Sequence, residues 1–200
     1  NNLKDIRIES STSLNISSQN IDFIWCNIDN VKQWLKIKKE DKKRLNQILD
    51  KINVKSSELC SIHIRRGDYL KQDKGFKYKD EGWALPKVYY SYIINNLLPK
   101  NLYFVFITDD FDYVKKEFKF IKNKYISHNE TEVLDLILFS SCKYNIIANS
   151  SFSIIGSLLN DHKDSQTFAP KYHIGWSKKE WFPKDIKFKN FKYVDILNGN

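Results

Sequence analysis

Two hundred residues set the scale of one domain, or of one domain with part of a second. With 42% hydrophobic, 28% charged and 14% aromatic residues, the chain has enough apolar material for a core, which excludes wholesale disorder. The net charge of +9 admits nucleic acid, an anionic membrane surface or a phosphorylated ligand; it is spread over single lysines and short pairs with no RNA-binding or zinc-finger signature, so no nucleic-acid partner is expected.

Residues 1 to about 20 are rich in Asn and Ser, with one short alternating piece at Ile6–Glu9, and read as a loop, an edge strand or a frayed start. From Asp29 to about Ile52 the apolar spacing predicts two helices, broken near Lys38-Lys39, with Asp41 as a cap of the second. From residue 58 the pattern becomes strand, loop, helix, repeated. Leu59–Ile64 is the first strand, and Tyr69–Trp83 a polar, aromatic-bearing loop. Pro86 takes the first helical position ahead of a helix over Val88–Leu98. Asn101–Thr108 is a continuous apolar strand of the kind buried on both faces. A helix over Asp112–Phe118 follows, then a strand at Lys124–Ser127 and a helix from Thr131 to Cys142. Tyr144–Ala148 is a buried strand, Asn149-Ser150-Ser151 turns into a helix through Leu159, and Thr167–Ala169 is a last short strand. Phe188–Leu197 forms a final packed segment. Four or five strands alternating with helices predict a Rossmann-like, doubly wound parallel sheet.

In such a sheet four strand ends fall on one edge: Arg65/Arg66/Asp68, Thr108/Asp109/Asp110, Ser127/His128 and Asn149/Ser150/Ser151. The arginine pair suggests a phosphate, because a guanidinium presents a fork of donors matching phosphate oxygens. Strand alternation puts Arg65 and Arg66 on opposite sides, one for ligand and one for a carboxylate, with His63 on the side of Arg65. Equally, the pair could be a surface ion-pair cluster. Ser150 or Ser151 caps a helix whose free N–H groups suit an anion. Asp135 is either a solvated helix acid or a carboxylate reading a guanine edge. Walker A, G-x-G-x-x-G and G-x-S-x-G patterns are absent from the sequence, against a P-loop NTPase, a typical nicotinamide dehydrogenase and a serine hydrolase. Cys26, Cys60 and Cys142 lack metal or disulfide spacing and read as reduced, buried thiols. No apolar run nears the roughly 20 residues of a membrane span. Cytoplasmic residence is expected, with room for a peripheral contact at the inner face of the membrane.

Three motifs carry a family resemblance. His63-Ile64-Arg65-Arg66-Gly67-Asp68-Tyr69, Phe104–Asp110 and Ser141–Ser153 resemble, in order and spacing, the three signatures of the α-1,2-fucosyltransferases of glycosyltransferase family 11. The resemblance runs from about residue 58 to 185. It implies a GT-B enzyme that transfers L-fucose from GDP-fucose to a glycan with terminal galactose, with inversion and without an essential metal or other cofactor. It also implies that Arg65 contacts the diphosphate, that Ser150, Ser151 and Phe152 contact phosphate, and that Asp135 recognises guanine. His63, Arg66, Asp68, Asp109, Asp110 and Asn149 carry over as donor-site residues, with Asp68 and His63 as candidate bases beside Arg65. Ile154-Ile155 stand where the family has two tryptophans. Nothing in residues 1–57 resembles the family's glycine-rich first strand-loop. Residues 1–57 are therefore expected to be a remnant amino-terminal, helical region and residues 58–200 the GDP-sugar-binding domain. The alternative reading is GDP-sugar binding without transfer.

Overall fold

A computed structural model of the chain describes residues 28–34, 37–72, 75–76, 78–79, 81–184 and 186–196. The expectations for Ile6–Glu9, Leu35, Cys26 and Leu197 lie outside the described residues. Helices α1 (Ile28–Trp34) and α2 (Lys39–Ile52) precede the first strand. The break between them falls as expected, but Lys38, not Asp41, is at the N-cap of α2; Asp41 lies in the first turn, where its charge still suits the helix dipole. Then come β1 (Leu59–Ile64), α3 (Lys87–Asn96), β2 (Tyr103–Thr108), α4 (Phe111–Glu117), β3 (Lys124–Ile126), α5 (Glu132–Ser140), β4 (Tyr144–Ile146), α6 (Ser151–Leu158), β5 (Gln166–Pro170) and β6 (Phe191–Val194). Pro86 sits one residue earlier than predicted, at the N-cap of α3 with extended backbone, so its missing N–H costs the helix nothing.

The strands form one sheet in the order β3-β2-β1-β4-β5-β6, every neighbouring pair parallel. The sequence predicted four or five strands; the sixth, β6, lies within the expected final packed segment. Its alternation is weak because it is an edge strand, with Lys192 exposed and only Val194 buried.

The centre of the sheet explains the apolar runs. All six residues of β1 are buried, since β2 and β4 flank it and helices cover both faces. On one face Cys60, Ile62 and Ile64 pack with Tyr89, Tyr90 and Ile93 of α3, Val114 of α4, Phe118 and Trp176. On the other, Leu59 and Val105 pack with Ile48 and Ile52 of α2 and with Leu134 and Leu138 of α5. Ile107, Ile147, Ile154 and Leu158 join a further apolar cluster with Phe139 and Ala169. Cys60 and Cys142 are free and buried. Burial pushes both thiols up in pKa, Cys142 to about 12, so they act as small apolar groups.

This strand order is that of the dinucleotide-binding fold, and its direction of winding reverses between β1 and β4. In open parallel sheets a crevice opens at that point, beyond the carboxyl ends of the strands. Arg65 follows β1 and Asn149 lies just beyond β4, so the arginine stretch and the serine turn flank the reversal.

Candidate functional site

β1 ends at Ile64, so neither arginine is a strand residue and the expected alternation does not decide where they point. Their partners do. In register, Ile64 lies beside Thr108, which brings the chain after β1 against Asp109 and Asp110. Asp109 Oδ1 accepts the Arg66 backbone N–H at 2.8 Å, and its Oδ2 lies 2.9 Å from Arg65 Nη1. Gly67 makes this approach feasible: a Cβ there would stand 2.7 Å from Asp109 Oδ2.

Carboxylates hold both arginines, but unequally. Arg66 is a structural post. Its side chain is only 11% exposed, its guanidinium lies 3.8 Å from the centroid of the Tyr113 ring, and Nε donates to Asp110 Oδ2 at 3.2 Å. Glu81 approaches Nη1 at 3.5 Å. Asp110 is itself fixed, because its other oxygen caps α4 through the Tyr113 N–H and its own N–H donates to Thr108 Oγ1. Arg65 is more open, at 37% exposure, and its second nitrogen, Nη2, meets Asp68 Oδ1 at 2.6 Å. Two guanidinium charges thus face four carboxylates, a formal excess of two negatives.

Tyr69 links this cluster to the serine turn. The Arg65 guanidinium lies 5.6 Å from the Tyr69 ring centroid, and Tyr69 Oη donates to Asn149 O at 3.0 Å and also interacts with the Ser150 side chain. Gly82 shapes the same loop: at φ +56°, a Cβ there would lie 2.2 Å from Tyr69 O. Asn149 is fully buried and donates to Trp83 O at 2.9 Å, which makes it a brace between loops. Ser150 stands at the N-cap of α6 yet gives no side-chain cap, so it serves the Tyr69 link instead. Ser151, the first residue of α6, is exposed.

His63 is 6% exposed and its ring centroid is 5.0 Å from that of Phe152. Burial, with the Arg65 charge adding to it, lowers its pKa to about 3, so the imidazole is neutral at pH 7. Its Nδ1 has no hydrogen-bond partner among the described residues. A base that weak is poorly matched to neutral pH. Asp135, in the first turn of α5, accepts from Ser127 Oγ at 2.5 Å, and burial raises its pKa while that hydrogen bond opposes the rise. It is therefore a half-buried acid at the same sheet edge, beyond β3. Among the described residues there is no group of three or more His, Cys, Asp or Glu side chains placed to hold a metal ion. No helix among them is long and apolar enough to cross a membrane.

Sequence reasoning missed Tyr69, Tyr113 and Glu81 as parts of the site. Tyr69 adjoins the arginines in sequence, but an aromatic residue in a polar loop signals packing as readily as a bridge.

Comparison with known proteins identifies the family. The chain matches the family model described as glycosyl transferase family 11 over residues 15–195. It is 30% identical over 147 residues to the O-antigen biosynthesis glycosyltransferase WbnK of Escherichia coli, covering 71% of this chain and 45% of that protein. It is 34% identical over 162 residues to an alpha-1,2-colitosyltransferase of Escherichia coli, covering 70% of this chain and 52% of that one. The chain thus spans about half the length of these curated relatives. Among solved structures, the NodZ alpha-1,6-fucosyltransferase soaked with GDP-fucose aligns at 14% identity and a TM-score of 0.42, covering 65% of this chain and 47% of that chain, a likeness too low to carry residue correspondences. The family match spans nearly the whole chain and takes in every residue of the site: the chain belongs to glycosyl transferase family 11.

Proposed function

We propose that the edge between β1 and β4 binds the diphosphate of a GDP-sugar. The chain is then the donor-binding part of a GT-B enzyme that transfers L-fucose to a galactose-terminated glycan with inversion. The colitosyl group named for one relative is the alternative sugar. The observation that carries this reading is the Tyr69 link: it holds Arg65 and the start of α6 about one tyrosine side chain apart, so two independent anion-binding devices face one crevice.

In the reaction the acceptor oxygen forms a bond to the anomeric carbon as the bond from that carbon to the diphosphate breaks. The electron pair leaves with GDP, so negative charge grows on the β-phosphate. Arg65 and the N–H groups of Ser151 and Phe152 oppose that charge from fixed positions, which is electrostatic preorganisation. The acceptor hydroxyl gives its proton to Asp68. Asp135 takes the guanine edge, and Arg66, Asp109, Asp110, Asn149 and Ser150 hold the loops in place. This division of labour assigns no step to a divalent cation. Residues 58–200 carry donor binding.

Calorimetric titration with GDP, GMP and RNA tests the donor. A GDP affinity well above that for GMP is expected, and no heat with GDP would overturn the reading. Mass spectrometry of a galactoside incubated with GDP-fucose tests the transfer. Binding without a mass increase would leave a GDP-sugar-binding domain.

A further inference from the structure

Arg65 divides its guanidinium between two carboxylates of unequal freedom. Asp109 is anchored: it accepts the Arg66 backbone N–H and packs against Gly67. Asp68 is 54% exposed in its side chain, sits at the start of a single 3-10 turn over Asp68–Lys71, and reaches Arg65 across an i,i+3 spacing. Of the two, only Asp68 can swing into solvent without breaking a backbone contact. The nitrogen it covers, Nη2, belongs to the only one of the two arginines that a ligand can reach, because Arg66 is packed against Tyr113 and held by Asp110.

We propose that Asp68 is a gate on Arg65: its carboxylate occupies the guanidinium position that the donor's diphosphate takes, and donor binding exchanges one for the other. This rests on the donor reading above and deepens it. Two consequences follow from the geometry. Entry requires an anion that binds the fork better than a tethered carboxylate, which favours a diphosphate over a singly bridged monophosphate. The displaced Asp68 carboxylate becomes free to accept a proton only when donor is seated, so the proposed base is switched on by the substrate it serves.

A gate and a supporting residue differ in the sign of their effect. Losing a support weakens ligand binding, whereas losing a competitor tightens it. Asp68→Asn should tighten GDP binding by about fivefold, the upper range for a half-exposed ion pair. Asp68→Ser provides a second variant. Asp112→Asn, in the first turn of α4 and outside this cluster, changes the net charge equally and should alter GDP affinity by less than about twofold. In an Arg65→Ala background Asp68→Asn should no longer tighten GDP, because the gated group is gone. Unchanged or weaker GDP binding by both Asp68 variants would overturn the gate while the donor reading stands. So would tightening that persists without Arg65, which marks a bulk charge effect. Failure of the unaltered protein to bind GDP at all would overturn the donor reading and the gate with it.

Discussion

Arg65 and Arg66 are adjacent in sequence and should behave oppositely when replaced. Arg66→Ala removes a nearly buried guanidinium stacked 3.8 Å from the Tyr113 ring centroid, a contact worth up to about 2 kcal/mol when desolvated. It also leaves Asp110 and Glu81, 31% and 35% exposed, without their cation, for about another 1 kcal/mol after allowing for solvent screening. The expected loss of stability is about 3 kcal/mol, or a fall in Tm of roughly 6–12 °C for a chain of this size. Arg65→Ala breaks two partly solvated pairs and should cost less than about 1 kcal/mol in stability. Its effect appears in ligand binding: loss of a charged hydrogen bond of about 1.5–3 kcal/mol weakens GDP more than tenfold. Urea unfolding of both variants, with GDP calorimetry on Arg65→Ala, measures the two quantities separately. Equal losses of stability would refute the assignment of Arg66 as the post and Arg65 as the ligand contact.

Gly82→Ala should destabilise by at least about 2 kcal/mol, since it places a Cβ at positive φ against three backbone carbonyls, and it should weaken GDP binding by displacing Tyr69; a thermal melt and a titration check both. Acid should unfold the protein early. His63 and His173 are buried, with folded pKa values of about 3 and about 4 against an ordinary 6.5, so below pH 6.5 the unfolded chain binds the extra protons. Their stabilising contribution is complete above pH 6.5 and falls by about 2 kcal/mol each by pH 5, measurable by denaturant unfolding at the two pH values. His173→Asn, which tolerates that residue's φ of +54°, should remove about half of this loss. Asp135→Asn should weaken GDP while leaving inorganic diphosphate binding unchanged, and an equal loss for both ligands would exclude it as a reader of the base.

The sequence carried the sheet because its central strands are buried on both faces. The run Leu102–Ile107 has no alternation to misread, and β1 ends abruptly in charge. The β6 edge, with one exposed face, left a weaker trace. The location of the site was legible for a topological reason: every parallel strand delivers its last residues to one edge, so Arg65, Asp109, Ser127 and Asn149 had to share it. The division of roles was not legible. Whether Arg65 or Arg66 is the buried one depends on Asp110 and Tyr113, more than 40 residues downstream, whose approach is set by the register of β2 against β1. Ser150 shows the same limit, because its type and position fit a helix cap while the folded loop gives its hydroxyl another neighbour.

The crossover from β5 to β6 is the one return across the sheet made without an α-helix among the described residues. Residues 171–184 are held by a short 3-10 turn at Ile174–Lys178 and by isolated turn bonds such as Ile174 N–H to Phe182 O and Phe182 N–H to Tyr172 O. A helix shares protection along a continuous ladder, whereas here each amide depends on one or two local contacts. Hydrogen–deuterium exchange should therefore run in layers. The amides of this crossover and of β6 should exchange first, through local opening, while those of β1, β2 and β4 wait for global unfolding. The crevice beside β1 would keep its floor while the far edge of the sheet breathes.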